Sequence, residues 1–393
     1  MPGQRNKATQ LVHEGSLRSQ FAENSEAMFL TQGYRYDSAE AALARFSGED
    51  DGFIYSRYAN PTVDMLEKRI AAYEGAEDCF ATASGMAAAF ATLACQLQAG
   101  DHIVSSRALF SSCLHIIEQI LPKWGVEVTF VDGLNISEWE AAVRPNTKVF
   151  FAEVMSNPRL EIIDVKAIST ISKARGIQFV VDNVFATPVL QNTLSLGADI
   201  IFYSATKHID GQGRVMGGLI LGSKEFIRGP LETFLRHTGP TMSAFNAWVM
   251  LKSLETLELR VNAQCDNALK ISQNLEQTSG VKTVLYPHLK SHPQFDYAQQ
   301  TMSKGGTMIC FEVEGGQERA FKLINALEII GISNNLGDTK SLITHPATTT
   351  HYKLTDAQKQ NLDITPGLVR LSVGIEDARD LIGDLSNAIA ISA

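Results

Sequence analysis

Residues 177–207 read IQFVVDNVFATPVLQNTLSLGADIIFYSATK, and the pattern within this segment indicates the architecture of the chain. Two short runs of apolar and β-branched residues, 177–181 and 199–203, have the length and composition of buried strands. The first run ends at Asp182, and the second is followed closely by Lys207. Polar side chains directly after buried strands are typical of a parallel sheet that binds a ligand at the carboxyl ends of its strands.

The same alternation of strand and helix patterns extends to both sides of this segment. Further strand-like runs lie at 102–105, 126–131, 148–154 and 218–221, and helical patterns lie at 87–97, 113–124 and 164–175. We therefore predict an α/β fold with a mostly parallel sheet covered by helices on both faces. An amphipathic pattern at 248–276 predicts one long helix that leads to a smaller unit. The predicted organisation is an N-terminal arm (1–50), a large domain (51–250) and a smaller C-terminal α/β domain (251–393).

The composition is that of an ordinary globular protein. Of 393 residues, 45% are hydrophobic and 20% are charged, and the net charge of -9 argues against binding to nucleic acids or membrane surfaces. No run approaches the ~20 apolar residues of a membrane span, and the polar N-terminus does not resemble a signal peptide. The five cysteines are scattered, without the spacing of a metal site. We therefore expect reduced thiols and a cytoplasmic protein.

Lys207 and Asp182 are the first candidates for chemistry. A lysine buried at the end of a strand loses its proton readily, and formation of a Schiff base requires this. A carboxylate that leaves an apolar strand is costly unless it has a partner, such as a protonated ring nitrogen. Local sequence leaves two simpler interpretations open: Lys207 on a surface turn, and Asp182 as the cap of the next turn.

An anion site is predicted where Ser84-Gly85-Met86 precedes a buried helix. The free N–H groups of a helix N-terminus bind phosphate, and glycine permits close approach. Ser204 and Thr206 could add hydroxyl donors, and a plain N-cap role for Ser84 stays open. In contrast, residues 211–217 (GQGRVMG) do not form a GxGxxG fingerprint, and the nine histidines show no zinc-like clustering. We therefore expect neither a dinucleotide site nor a metal site.

Together these segments resemble the pyridoxal 5'-phosphate (PLP) dependent Cys/Met metabolism family, which includes cystathionine synthases and lyases, homoserine-ester sulfhydrylases and methionine γ-lyase. The resemblance runs from about Tyr55 to Asp377. Its motifs are Tyr55-Ser56-Arg57 with Asn60-Pro61-Thr62, Ser84-Gly85-Met86, Ser156-Asn157-Pro158, Val181-Asp182-Asn183, Ser204-Ala205-Thr206-Lys207, Ser341-Leu342 with His345-Pro346-Ala347, and Arg370-Leu371-Ser372-Val373-Gly374. The resemblance implies PLP fold type I, with a seven-stranded-type sheet in the large domain.

The resemblance also implies site residues. Those expected to bind the cofactor are Tyr55, Arg57, Gly85, Met86, Phe110, Asn157, Asp182, Ser204, Thr206 and Lys207. Lys207 would carry PLP as a Schiff base and act as the catalytic base, and Asp182 would hold the pyridine nitrogen. Gly85, Met86, Ser204 and Thr206 would bind the phosphate, and Asn157 would contact the ring hydroxyl.

Other implied roles concern the substrate and the neighbouring subunit. Arg370, helped by Ser341, would bind the substrate α-carboxylate through a bidentate pair. Tyr55 and Arg57 would reach the phosphate of a neighbouring subunit. The active site would therefore be completed in a homodimer, and the usual assembly in the family is a homotetramer.

Departures from the commonest family pattern narrow the expected activity. Phe110 replaces a ring-stacking tyrosine, His208 follows the lysine, and Lys340 replaces a glutamate. Phe110 with Asp210 to Arg214 looks most like the O-succinylhomoserine sulfhydrylases. The resemblance thus implies γ-replacement of O-succinyl-L-homoserine by sulfide, giving L-homocysteine and succinate in methionine biosynthesis. O-acetylhomoserine sulfhydrylase, cystathionine γ-synthase, methionine γ-lyase and a non-catalytic PLP-binding protein stay open as alternatives.

Overall fold

A computed structural model describes residues 5–393 of the chain. The strands are β1 Asp78–Thr82, β2 His102–Ser106, β3 Glu127–Val131, β4 Thr147–Glu153, β5 Gln178–Asp182, β6 Ile200–Ser204, β7 Gly218–Gly222, β8 Val281–Leu285, β9 Met308–Val313, β10 Gly331–Ile332, β11 Leu342–Thr344 and β12 Leu368–Ser372. The helices are α1 Lys7–His13, α2 Ala39–Ser47, α3 Pro61–Glu74, α4 Gly85–Ala94, α5 Ser111–His115, α6 Ile136–Ala141, α7 Val165–Ala174, α8 Thr187–Leu190, α9 Lys224–Phe226, α10 Glu232–Thr238, α11 Ala244–Leu254, α12 Leu257–Leu275, α13 Phe295–Thr301, α14 Gly316–Asn325, α15 Asp356–Asn361 and α16 Ala378–Ile391. Within these residues, no helix is both long enough and apolar enough to cross a bilayer.

The larger sheet has seven strands in the order β1-β7-β6-β5-β4-β2-β3. Strands β2 to β6 pair in parallel, and only β7 runs antiparallel to its two neighbours. Along β4, Val149 and Phe151 join one apolar cluster while Phe150 and Ala152 join another, so both faces of the sheet are covered. The predicted mostly parallel α/β sheet is confirmed.

The smaller sheet has five strands in the order β10-β11-β12-β9-β8. Only β10 and β11 pair in parallel, and the other pairs are antiparallel. Helices α12, α14 and α16 pack against this unit and supply part of its apolar core. The expectation of a second, smaller α/β unit is confirmed.

The prediction of one helix over 248–276 is wrong. Two helices, α11 and α12, cover this region, and the chain leaves helical geometry at Thr256, which has φ -115° and ψ 8°. Helix α11 packs against α3 of the larger unit, whereas α12 packs against α16 and β8 of the smaller one. The amphipathic pattern continues through the break because both helices bury one face.

The N-terminal arm is fastened to the larger unit at Glu26. Arg69 of α3 donates to Glu26 Oε1 at 2.6 Å, Lys252 donates to Oε2 at 3.0 Å, and the Trp248 indole donates to the Glu26 carbonyl at 2.7 Å. Burial alone would raise the pKa of Glu26, but the hydrogen bonds from Arg69 and Lys252 outweigh it and hold the pKa well below its usual range. The arm is therefore part of the folded body at this point.

Replacing Glu26 with glutamine is expected to lower the free energy of unfolding at pH 7 by about 3 kcal/mol, because the buried Arg69 guanidinium loses its nearer counter-charge and keeps only Glu255, at 3.9 Å. Glu26 has a depressed pKa in the folded state. Its contribution is therefore present above the unfolded-state pKa of ~4.3 and is lost as the pH falls towards the folded-state value. Urea unfolding at pH 7 and at pH 3 measures both effects. The exposed Glu49→Gln is the matched control, and an equal loss in both variants would contradict the role of Glu26.

Candidate active site

One cavity lies at the carboxyl ends of three neighbouring strands, β4, β5 and β6. Its volume is about 270 Å³. The last residues of these strands, Glu153, Asp182 and Ser204, all line it. Asn334, Leu336 and Arg370 of the smaller unit complete the wall. The cavity thus lies at the strand edge where α/β sheets bind their ligands.

Lys207 follows β6 and lines this cavity. Its backbone N–H donates to the Ser204 carbonyl at 3.1 Å, and its amine donates to the side-chain oxygen of Asn335. Burial, with a smaller effect from the Arg370 charge, lowers the pKa of Lys207 to about 8. The neutral amine that attacks a carbonyl group is therefore accessible near neutral pH. The structure excludes the alternative of a lysine on a surface turn.

Asp182 ends β5 and faces the same cavity. Its Oδ1 accepts the Val184 N–H at 2.9 Å, and burial raises the pKa of the carboxyl group. No lysine, arginine or histidine within residues 5–393 is hydrogen-bonded or ion-paired to Asp182. A partly capped carboxylate without a cation suits a ligand that brings a positively charged N–H group.

The N-terminus of α4 forms the opposite part of the cavity. Gly85 and Met86 are its first two residues, and Ser84 is its N-cap, accepting the Ala87 N–H at 3.2 Å. A Cβ atom on Gly85 would lie 2.5 Å from Cβ of Ser204, so only glycine fits there. The N-cap role of Ser84 is thus observed, and it leaves the N–H groups of the first helical turn beside Ser204 and Thr206, which also line the cavity.

Arg370, in β12, supplies a buried guanidinium group. Its Nη1 donates to the side-chain oxygen of Asn157 at 3.0 Å, and Nη2 donates to the Asn334 carbonyl at 2.8 Å. Within residues 5–393, the buried Nε atom has no hydrogen-bond partner and no carboxylate is paired with the guanidinium group. Burial lowers the pKa of Arg370 to about 10, so the side chain keeps its charge at neutral pH. An unpaired cation with a free donor is suited to an anionic ligand.

Of the predicted site residues, the cavity brings together Gly85, Met86, Phe110, Asn157, Asp182, Ser204, Thr206, Lys207 and Arg370. Tyr55 and Arg57 do not line it. They lie near Tyr58 and Arg236, where the Arg57 guanidinium is 4.7 Å from the centre of the Tyr58 ring. Ser341 does not line the cavity either. Its hydroxyl donates to Glu376 at 2.9 Å and accepts the Gly374 N–H at 2.9 Å.

Among the residues that sequence reasoning missed are Glu153, which lines the cavity, and Asn335, which binds the Lys207 amine. Glu153 ends β4 as Asp182 ends β5, so the rule that singled out a carboxylate after an apolar strand would have found it. Asn335 contacts the Lys207 amine from the loop between β10 and β11. Nothing in the local sequence of that loop marks it, because its position depends on how the smaller sheet packs against the larger one.

Comparison with known proteins places the chain in a family. The model of the Cys/Met metabolism PLP-dependent enzymes matches residues 8–390. The chain belongs to this family. It is 49% identical to an O-succinylhomoserine sulfhydrylase of Mycobacterium tuberculosis, over 99% of this chain and 97% of that protein. An O-succinylhomoserine sulfhydrylase of Pseudomonas aeruginosa is 44% identical, over 97% of this chain and 94% of that protein.

A solved structure is also close to this one. The putative O-acetylhomoserine (thiol)-lyase of Campylobacter jejuni superimposes with a TM-score of 0.94 at 31% identity, covering 98% of this chain and 100% of that chain. That structure contains N'-pyridoxyl-lysine-5'-monophosphate. The likeness establishes fold type I for the chain described here and agrees with PLP as its cofactor.

The cavity fits PLP on its own geometry. The cofactor requires an amine for its aldehyde, anion donors for its phosphate and a carboxylate for its ring nitrogen. Lys207 offers the amine, the first turn of α4 with Ser204 and Thr206 offers the anion donors, and Asp182 is a carboxylate without a cation. The chain is a PLP-dependent enzyme of Cys/Met metabolism.

Proposed function

We propose that the enzyme replaces the succinyl group of O-succinyl-L-homoserine with sulfide, giving L-homocysteine and succinate. The observation that carries the proposal is the meeting of Lys207, Asp182 and Arg370 at one cavity. Its support from comparison is the identity of 49% to an O-succinylhomoserine sulfhydrylase over almost the full chain. The proposed role in metabolism is the carbon–sulfur bond-forming step of methionine biosynthesis.

In this proposal the cofactor is bound by residues at the carboxyl-terminal edge of the larger sheet. Lys207 would bind its aldehyde carbon, Asp182 would bind its ring nitrogen, and Phe110 would contact its ring. The N–H groups of Gly85 and Met86 and the hydroxyls of Ser204 and Thr206 would bind its phosphate. Asn157, whose side-chain oxygen accepts from Arg370, is near enough to the same cavity to contact the ring hydroxyl through its amide nitrogen.

When bound, PLP withdraws electrons from the substrate α-carbon, so that hydrogens on the α- and β-carbons become acidic. Residues of the chain determine which of these hydrogens is removed and which group accepts it. Arg370 binds the α-carboxylate and fixes which hydrogen faces Lys207 Nζ. That amine accepts the α-proton and returns it later, a role that its lowered pKa of about 8 supports. Asp182 keeps the proton on the ring nitrogen by remaining ionised beside it.

Phe110 distinguishes this site from the commonest family pattern, because a phenyl ring cannot exchange a proton with the leaving group. A carboxylic ester departs as a carboxylate and needs little protonation. Replacing Phe110 with tyrosine is therefore expected to leave the fold intact and to raise elimination in the absence of sulfide by about tenfold. The measurement is release of 2-oxobutanoate from O-succinyl-L-homoserine. Phe110→Leu, which removes the ring without adding a proton donor, is the control, and an unchanged product ratio would remove Phe110 as a determinant of specificity.

We also propose that the active site is completed in a homodimer, two of which form a tetramer. The donors around the phosphate position in one chain are neutral, whereas Arg57 lies outside the cavity with Tyr55. The arm also exposes large apolar side chains, including Phe21, Leu30, Leu43 and Phe46. Mixing inactive Arg57→Ala and Lys207→Ala chains tests the proposal, because a shared site would regain activity only in mixed dimers.

Three further assignments are proposals of the same kind. The domain boundaries are placed near residues 50 and 250, and the break at Thr256 between α11 and α12 supports the second one. Ser341 reaches the substrate only if its hydroxyl leaves Glu376, so its role stays a prediction. The cytosol is the proposed compartment, since all five cysteines are free thiols in the structure.

The decisive experiment compares kcat/KM for the succinyl and acetyl esters of homoserine, each with sulfide and with cysteine. The proposal expects the succinyl ester with sulfide to be the fastest pair. Preference for the acetyl ester would indicate an O-acetylhomoserine sulfhydrylase, and faster turnover with cysteine would indicate a cystathionine γ-synthase. Release of an α-keto acid from methionine alone would indicate a methionine γ-lyase. A protein that binds PLP and turns over none of these would be non-catalytic.

A further inference from the structure

Glu153 is a buried acid in the cavity to which the proposed reaction gives no role. It is the last residue of β4, and its register partner is Asp182, the last residue of β5. Neighbouring residues of parallel strands project to the same face of a sheet, so the two carboxyl groups lie side by side. One carboxylate oxygen of Glu153, one of Asp182 and the sulfur of Cys113 all lie within 4.8 Å of one another.

No cation is bound to either acid of this pair within the described residues, so ionisation of both carboxyl groups is unfavourable. Glu153 Oε1 accepts the Phe110 N–H, and Asp182 Oδ1 accepts the Val184 N–H. The third member of the group, the Cys113 thiol, is buried and neutral, since burial raises its pKa. The cations that line the same cavity, Lys207 and Arg370, are bound to Asn335, Asn157 and Asn334 instead. Two acids this close in a desolvated site do not both ionise.

Burial decides which acid keeps the proton. Glu153 is 6% exposed, whereas Asp182 is half-buried and open to the cavity. The more deeply buried acid pays the larger desolvation cost on ionisation. Burial and the Asp182 charge both raise the pKa of Glu153.

We propose that Glu153 is a positioning residue that keeps its proton beside an ionised Asp182 and holds the main chain of Phe110 through the Phe110 N–H. The inference rests on the proposed binding of the cofactor ring nitrogen by Asp182. A neutral Glu153 leaves one negative charge for one positively charged ring nitrogen. Its hydrogen bond to the main chain of Phe110, directly before α5, would fix the position of the Phe110 ring in the cavity.

Two spectroscopic measurements on the PLP-bound protein test the charge state. Infrared difference spectra between wild type and Glu153→Gln are expected to show the loss of the C=O stretch of a protonated carboxyl group at pH 7–8. The difference isolates Glu153 from other buried acids whose pKa is raised, such as Glu67 and Glu74. The pH midpoint of the visible cofactor band is expected to move by less than about 0.5 unit in Glu153→Gln and by more than about 1 unit in Asp182→Asn.

A second variant tests the link to Phe110. Glutamine keeps an oxygen that accepts the Phe110 N–H, whereas Glu153→Met keeps the volume and removes the acceptor. Glu153→Gln is expected to keep the full wild-type amplitude of the visible circular-dichroism band of the cofactor. Glu153→Met is expected to keep about half of that amplitude or less. A full signal in both variants would overturn the positioning role.

The other outcomes are separable. A difference spectrum without a protonated carboxyl, or a midpoint that moves as far in Glu153→Gln as in Asp182→Asn, would overturn the inference while leaving PLP binding and γ-replacement intact. Wild-type protein that forms no visible band with PLP would overturn the proposed function itself, and the inference with it.

Discussion

Replacing Lys207 with alanine is expected to lower turnover of O-succinyl-L-homoserine by at least about 1,000-fold. The cavity contains no second primary amine within the described residues, so no other side chain supplies both the Schiff base and the proton acceptor. Borohydride reduction of the PLP-bound protein followed by peptide mapping is expected to label Lys207 in wild type and no residue in the variant. Steady-state assays and the peptide map thus report the same amine independently.

Lys207→Arg is the matched control for charge. Arginine keeps a cation near Asn335 but does not deprotonate at neutral pH, so this variant is expected to be as inactive as alanine. Both variants are expected to keep the thermal midpoint of the apo-protein within a few degrees, because the Lys207 amine is bound to Asn335 and to no carboxylate in the described part of the chain. Normal activity in Lys207→Ala, or label on another lysine, would refute the assignment of this residue.

Replacing Arg370 with alanine is expected to raise KM with a smaller change in kcat. Arg370 is 2% exposed, and its buried Nε lacks a hydrogen-bond partner among the residues that the structure describes, so a bound carboxylate would complete its hydrogen bonding. Loss of one partner of a buried charge pair costs about 2–5 kcal/mol, and this corresponds to an increase in KM of about 30-fold to 4,000-fold. Initial rates over a wide range of substrate concentration measure the effect.

Two comparisons separate carboxylate binding from a general loss of structure. Arg370→Lys keeps the charge but not the forked donors, and it is expected to fall between wild type and alanine. An α-carboxamide analogue of the substrate is expected to bind wild type and Arg370→Ala about equally weakly. The free energy of unfolding reports any cost of leaving the Asn157 and Asn334 oxygens without their donor. An unchanged KM in Arg370→Ala would move the carboxylate site elsewhere.

Much of the larger unit could be predicted because its strands are buried on both faces. Such strands appear in the sequence as short apolar runs. The predicted strand 148–154, for example, differs from β4 by one residue at each end. Lys207 and Asp182 could be predicted for the same reason, since each follows a run of this kind. The family resemblance added Arg370 and Phe110, which no periodicity marks.

The remaining features depend on contacts between distant segments. The break between α11 and α12 leaves no trace in the amphipathic pattern, because each helix buries one face, although the two faces pack against different units. Asn335 meets Lys207 across 128 positions of sequence, and only the packing of the two sheets brings them together. Likewise, the hydrogen bond of Ser341 to Glu376 forms because the residue before β11 lies close to the segment after β12.

The cavity wall is built by both sheets, with Asp182 and Lys207 on one side and Asn334, Leu336 and Arg370 on the other. A ligand that binds between two folding units adds its binding free energy to their association. Bound PLP would therefore stabilise the association of the two units. Removal of the coenzyme is consequently expected to lower the free energy of unfolding of the enzyme.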